Sequence, residues 1–572
     1  MLHVVGEEMN KEKIINLVEK FINEETDKVE FDTKDASSSV DWFLISTAYR
    51  LIKTYSKYRE GMCQEYDMLV SLRNFLLVYE TELRVESIEI ANNNKFGIYK
   101  NNSSNSYYAG YVLPESFRGE KYVKESFINQ STQAPLKESR YQLQTNGYIK
   151  KLSKFEKFKS IEQKLSVYGA LNTPAGYTTL ISMPTGGGKS LVTQVLSYEK
   201  EGLSIVVVPT VSLALDQERV AKNNIKIAKE CEIFCYYNTT PYLNEIIAAI
   251  KSRKAKVLFI SPEALIKNEQ FKHLIANAND TGYLKNLIID EAHIVVAWGD
   301  FFRIDYQCLG PWRKELLKIN PALRTFLFSA TYRDDVVNTL KYIFSENDKY
   351  LEIRCDSLRK EPRFILEKTD NFYAKKEKVL KLVNLLPRPT ILYVNSPYHA
   401  ERWKEYLKKE GYGNVYTFTG ETKSNERSVL IDNWVDNEFD LMIATSAFGV
   451  GVDKPDVRTV MHLYVPETPD TYYQELGRAG RDGLPCLSVM CIESKDLFNG
   501  AKHVTKVLTK DTFWGRCWSM YTNPKNQWHG RKIAIIASTK PNYNKINFFE
   551  EGNDTDEKWN IHVLPLHNRY QK

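Results

Sequence analysis

From about residue 150, short β-branched apolar runs alternate with longer amphipathic segments, and the chain does this twice. The first set reads TTLISMP (178–184), LSIVVVP (203–209), KVLFISP (256–262), NLIIDEA (286–292) and RTFLFSA (324–330). The second reads TILYVNS (390–396), NVYTFTG (414–420), DLMIATS (440–446), TVMHLYV (459–465) and LSVMCIE (487–493). Near-continuous apolar strands between helices belong to parallel sheets covered on both faces. The pattern predicts an α/β fold class with two parallel-sheet lobes in tandem, joined near RCDSLRKEPR (354–363).

The flanks differ. Residues 1–41 hold 11 Asp/Glu against 5 Lys/Arg, and KEKIINLVEKFI and EYDMLVSLRNFLLVYETEL show helical periodicity. Residues 91–147 are polar and rich in Asn, Ser and Tyr, reading as loops and short strands. No catalytic constellation stands in this region. The expected organisation is a mostly helical N-terminal accessory region (1–150), a first lobe (151–357), a second lobe (358–495) and a C-terminal extension (496–572). In the extension Trp514, Trp518 and Trp528, near Arg516, Lys525, Arg531 and Lys532, read either as a stacking patch or as a small core.

Composition narrows the class. A net charge of +6 permits a polyanionic partner without demanding one. The eight cysteines are scattered with no C-x-x-C pair, which fits a reducing cytoplasm and neither a disulfide framework nor a zinc ribbon. No signal-peptide pattern opens the chain, and no apolar run approaches the ~20 residues that cross a bilayer. A cytoplasmic protein without a membrane partner is expected.

Three motifs carry chemistry. MPTGGGKS (183–190) follows a strand and opens a helix, the setting of a phosphate loop, although Met183 stands where the strict pattern has glycine. There Thr185, Gly186, Gly187 and Gly188 would cradle phosphates, Lys189 would reach the β and γ oxygens, and Ser190 would bind Mg²⁺. Asp290-Glu291-Ala292-His293 follows a buried strand, where α/β sheets hold ligands. Asp290 would serve the metal and Glu291 the attacking water. QELGRAGRDG (474–483) offers Arg478 and Arg481, which could face the nucleotide from the second lobe and stabilise transition-state charge. Alone, each reads equally as a glycine turn, a charged surface or two surface arginines.

In this order and spacing the motifs resemble the RecQ-like superfamily 2 DEAH-box DNA helicases, over about residues 155–495. The resemblance implies two RecA-like lobes, use of ATP and Mg²⁺, and ATP-driven movement on single-stranded or partly duplex DNA, 3′ to 5′. It implies that Gln163 reads adenine and that Asp453 faces both DNA and nucleotide. His293, Ser329 and Thr331 would relay between sites, with Trp298, Phe301 (or Phe302) and Arg303 sensing DNA in the aromatic loop after DEAH. Thr210, Ser261, Asn395, Thr419 and Thr445, at predicted strand ends, are candidates for phosphate-backbone contact, and each also suits a plain strand end or helix cap. The family's four-cysteine zinc module is not expected: past Gly483 only Cys486, Cys491 and Cys517 remain, and a structural zinc site needs four ligands. That leaves open a translocase that does not separate strands. Such a protein would recruit partners through its N-terminal region in DNA modification, repair, recombination or anti-phage defence.

Overall fold

A computed structural model of the chain describes residues 2–3, 11–26, 29–30, 39–86, 95–115, 117–127, 143–237, 240–296, 304–330, 332–346, 348–355, 358–448, 454–503, 510–529, 532–536 and 538–540. The accessory region is built on three helices: α1 (Lys11–Ile22), α2 (Ser39–Arg59) and α3 (Glu65–Tyr79). α1 buries Ile14, Leu17, Val18, Phe21 and Ile22, a one-sided stripe at helical spacing. A small antiparallel sheet of β1 (Leu83–Arg84), β2 (Ile98–Asn101) and β3 (Ser106–Ala109) follows, then α4 (Glu120–Phe127).

The first lobe holds α5 (Ile161–Leu171), α6 (Lys189–Glu199) and α7 (Val211–Asn224) with seven strands: β4 (Thr178–Ser182), β5 (Leu203–Val207), β6 (Ile233–Tyr236), β7 (Val257–Ile260), β8 (Leu284–Ile289), β9 (Arg324–Ser329) and β10 (Tyr350–Arg354). All pair in parallel, in the order β10-β4-β9-β8-β5-β7-β6. The second lobe is a six-stranded parallel sheet of β11 (Pro362–Thr369), β12 (Thr390–Tyr393), β13 (Val415–Phe418), β14 (Leu441–Ala444), β15 (Thr459–His462) and β16 (Cys486–Glu493). Its order is β11-β16-β15-β12-β14-β13, and α8 (Pro469–Leu476) lies between β15 and β16. These are two tandem RecA-like lobes.

Three strands go beyond the sequence reading. β6 is only four residues long. β10 and β11 are sheet edges that mix charged with apolar residues, the longest apolar run being Phe364-Ile365-Leu366, so neither shows the long run of a strand covered on both faces. An edge also accommodates Pro362. The segment read as a linker therefore donates its ends to both sheets, and the chain crosses between lobes over 355–361.

The accessory region packs on the second lobe. One apolar core joins Ile14, Phe43, Leu72, Phe75 and Val123 to Ile365, Val379, Trp403, Leu407, Leu487 and Cys491. Polar contacts rim it: Asp67 accepts from the amides of Gly413 (2.8 Å) and Asn414 (3.1 Å), and Glu125 pairs with Arg363 (2.7 Å). In the C-terminal extension, helix Lys510–Tyr521 buries Phe513, Cys517 and Met520 against Ile535. Trp514 and Trp518 flank this stripe and stay largely exposed, Trp514 packing edge-on against Phe513 at the rim of the small core. Trp528 lies in a short strand (Gln527–His529), and Arg531 falls outside the described residues. Among the described residues no helix is long and apolar enough to cross a membrane.

Candidate nucleotide site between the lobes

β4 ends at Ser182. Met183 continues into the core, fully buried, its amide donating to the Ser329 carbonyl (3.0 Å). The apolar side chain thus anchors the loop where the strict pattern has glycine. The chain then turns, with Gly187 N–H donating to Pro184 O (2.9 Å), and Gly188 caps α6 at φ +87°. A Cβ on Gly188 would stand 2.0 Å from Gln163 Nε2, so this position needs glycine for backbone and space alike.

Gln163 belongs to the same wall. Ser160 caps α5, the Gln163 side-chain carbonyl accepts from Lys159 N (2.7 Å), and its amide donates to Gly188 O (3.2 Å). The loop leaves Ser190 exposed to the cleft, and Thr185 Oγ1 is buried with no hydrogen-bond partner.

The DEAH residues follow β8. Lys189 Nζ lies 3.3 Å from Glu291 Oε1 and 4.0 Å from Asp290 Oδ1. Burial alone would lower the Lys189 pKa, but the two carboxylates outweigh it and hold the lysine above its ordinary value. Burial pushes Asp290 up, against the pull of Lys189. Burial acts the same way on Glu291, but Lys189, His293 and Arg478 together hold it below its ordinary range. Glu291, the nearer to Lys189, is therefore the firmly ionised one. It sits at φ 49°, ψ 44°, a left-handed conformation uncommon outside glycine and concentrated at functional sites.

Two glutamines outside the predicted site residues are central to the cleft. Gln217, on α7, donates from Nε2 to Asp290 Oδ2 (2.8 Å). Gln474, on α8 of the second lobe, places Nε2 3.3 Å from His293 Nε2, while His293 Nδ1 meets Ser329 Oγ at 2.8 Å. The signal for both was position: each stands in a motif at the cleft edge of a helix. Burial keeps the His293 pKa below its ordinary value, with Glu291 opposing.

The second lobe closes on this wall. Arg481 approaches Gly186, its Cγ 3.9 Å from where a Cβ would stand. A Cβ on Gly477 would lie 2.2 Å from Thr185 Oγ1, so glycine there lets the lobes touch. Arg359, inside the segment read as a linker, fixes this loop by donating to the carbonyls of Gly477 (3.3 Å), Ala479 (2.8 Å) and Gly480 (2.5 Å). The cleft brings together Gln163, Thr185, Gly186, Gly187, Gly188, Lys189, Ser190, Asp290, Glu291, His293, Ser329, Arg478 and Arg481. These residues fit a nucleoside triphosphate with Mg²⁺: left-handed glycines at a helix N-terminus, a half-buried cation, two carboxylates beside it and an unused buried hydroxyl.

The backbone-contact candidates all follow strands of the two sheets. Thr210 and Ser261 cap helices, their hydroxyls accepting from Leu213 N and Ala264 N (both 3.3 Å). Thr419 and Thr445 are buried, and Asn395 is exposed. Trp298, Phe301, Phe302, Arg303, Thr331 and Asp453 lie outside the described residues. Cys486 and Cys491 project from opposite faces of β16 into different cores, and Cys517 belongs to a third.

Fold and cleft define a protein of two RecA-like lobes with a phosphate-loop cleft between them. The sequence matches the DEAD/DEAH box helicase family over residues 162–340 and the helicase conserved C-terminal domain over 374–483. The chain belongs to the DEAD/DEAH box helicase family and has distant homologues among RecQ-family DNA helicases. It is similar to the RecQ-like DNA helicase blm-1 of Caenorhabditis elegans, 31% identical over 57% of this chain and 32% of that protein. The ATP-dependent helicase SGS1 of Saccharomyces cerevisiae is 32% identical over 54% of this chain and 21% of its own length. The ATP-dependent DNA helicase Q-like 4B of Arabidopsis thaliana is 31% identical over 54% and 26%. The chain thus spans a third or less of these relatives.

Proposed function

We propose that the chain is an ATP-driven DNA translocase and helicase of RecQ type, moving 3′ to 5′ on single-stranded DNA. The observation that carries this is the link across the cleft. His293 of one lobe, which flanks the Lys189–Glu291 pair, meets Gln474 of the other, and Thr185 and Gly186 of the glycine loop meet Gly477 and Arg481, so nucleotide state and lobe separation are coupled.

In this reading the glycine loop and Lys189 bind the triphosphate, and Gln163 monitors the base. Ser190 and Asp290 would hold Mg²⁺, which would screen phosphate charge. Gln217 orients Asp290. Glu291, kept ionised by Lys189, orients and deprotonates the attacking water. Arg478 and Arg481 enter the cleft when the lobes close and stabilise charge on the phosphoryl group. His293 passes lobe position to Ser329, and the resemblance assigns the rest of the relay to Thr331, nucleotide and DNA contact to Asp453, and DNA sensing to Trp298, Phe301 and Arg303. Thr210, Ser261, Asn395, Thr419 and Thr445 line the backbone path, chiefly by orienting helix N-termini and amides.

A second reading, translocation without strand separation, draws on the three cysteines after Gly483, which sit in three separate cores and cannot share an ion. ATP hydrolysis measured with and without single-stranded DNA tests the motor, and unwinding of 3′-tailed, 5′-tailed and blunt duplexes tests strand separation. Hydrolysis indifferent to DNA rejects the motor. Stimulated hydrolysis with no unwinding selects the second reading. Lys189→Ala should abolish hydrolysis in either case.

A further inference from the structure

A buried polar chain runs from the accessory region to the arginine-bearing loop of the second lobe. Arg50, on α2, is 4% exposed. Its guanidinium pairs with Asp456, which is fully buried, and donates to Asn437 Oδ1 (3.2 Å) and Thr47 Oγ1 (2.9 Å). Lys454 closes the same group from the lobe's side, 2.6 Å from Asn437 Oδ1 and 3.2 Å from Asp456 Oδ1.

The chain continues through Arg458. Its Nε donates to Asp456 O (3.0 Å), and its Nη2 pairs with both carboxylate oxygens of Asp482 at 2.6 Å. α2 touches this residue too: the Arg458 guanidinium lies 5.1 Å from the Phe43 ring centroid. Two backbone bonds tie the 454–458 segment to the loop beyond it, Gly480 N to Val457 O (3.0 Å) and Asp482 N to Pro455 O (3.3 Å). Arg481 stands between Gly480 and Asp482. From Arg50 to Arg481 every link is a hydrogen bond, an ion pair or a peptide bond.

We infer that Arg50 is a positioning residue for ATP hydrolysis: through Asp456, Arg458 and Asp482 it holds the loop carrying Arg478 and Arg481 in register with the cleft. This rests on the ATPase reading above. Residue 50 lies outside both segments matched to helicase families, so the accessory region contributes to the motor's chemistry as well as covering its second lobe. The physical reason is the narrow tolerance of transition-state contacts, where a displacement of ~1 Å can cost ~10²-fold in rate. A buried guanidinium gripping a carboxylate and an amide fixes geometry better than apolar packing can.

The test is steady-state ATP hydrolysis by the full chain with saturating single-stranded DNA. Arg50→Ala is expected to lower kcat about tenfold or more, with the KM for ATP within about twofold, because loop placement matters to the transition state more than to ground-state binding. Arg50→Lys, which keeps the charge on Asp456 and loses the fork, should recover only part of the rate. Lys53→Ala, which removes an ion pair to Glu438 at the same interface and spares the chain, should match the unmodified protein. If Arg50→Ala does not accumulate as folded protein, Arg50→Gln is read in its place. An unchanged kcat in the Arg50 variants, or an equal loss in Lys53→Ala, overturns the inference while leaving the ATPase reading intact. No hydrolysis by the unmodified chain overturns the ATPase reading itself.

Discussion

The two lobes share a sheet architecture but not a way of completing their cores. Both clusters that sandwich the first sheet draw only on residues 143–353. The second lobe fills one face itself, around Tyr393, Trp434 and Phe448. On its other face Leu392, Met461 and Val489 share a core with α1, α2, α3 and α4 of the accessory region. The first lobe is self-sufficient, while the second is finished by chain that precedes both. A segment that reads as an appendage is, by burial, part of the motor.

The largest test of that difference is to separate the pieces. Residues 143–355 expressed alone should fold with a cooperative thermal transition. Residues 358–503 alone should not, because their shared face would be exposed, and dye binding to apolar surface with no cooperative melting should report this. A well-folded second-lobe fragment would break the comparison. Single substitutions sharpen it. Phe75→Ala, wholly within the accessory region, and Phe326→Ala, in the first sheet, each empty a fully buried site and should each cost ~3–5 kcal/mol. Hydrogen exchange locates the cost: Phe75→Ala should accelerate exchange in β15 and β16 and spare β5, and Phe326→Ala should do the reverse.

A smaller effect is expected where the lobes meet. Gln474→Ala removes the contact to His293 and strands no buried charge. One hydrogen bond contributes ~1 kcal/mol, so turnover should fall about fivefold with the KM for ATP nearly unchanged. A larger rise in KM than fall in kcat would place Gln474 in nucleotide binding and not in coupling the lobes.

The same comparison explains what was legible in the sequence. Strands buried on both faces announce themselves, so β4, β5, β7, β8, β9 and most of the second sheet could be read directly. Edge strands β10 and β11 mix charged residues with exposed Leu351, Phe364 and Leu366, so they lack the long apolar run of a central strand, and their facing ends read as a linker. The glycine loop, Asp290 and Glu291 were legible because their chemistry demands fixed residue types at fixed spacing. Gln217, Gln474 and Arg359 were not, because a side-chain amide or guanidinium acts there through geometry that only the fold creates. The accessory interface was the least legible. Phe75 or Val123 reads as an ordinary helix core residue, and nothing local says that its partner is Leu487.

The finest distinction lies between two buried lysines, one per lobe. Lys189 faces two carboxylates, which outweigh burial and raise its pKa. Lys454 has Asp456, but burial dominates and Arg50 competes for the same carboxylate, so its pKa drops to about 8. The signs for stability are opposite. Between about pH 8 and the ordinary lysine value of 10.5, folded Lys454 has released a proton that the unfolded chain still holds, so its contribution to stability rises with pH across that window. Lys189 contributes fully below 10.5 and loses that contribution as pH climbs through its raised folded value. NMR of lysine side chains labelled at Cε should show one resonance titrating near pH 8 and another unmoved there. Arg50→Ala should move the Lys454 midpoint upward and leave Lys189 alone, because the competing cation belongs to the accessory region and reaches only the second lobe. A Lys454 midpoint that ignores Arg50→Ala would mean that burial alone sets it, and the accessory region would then cover the lobe without tuning its charges.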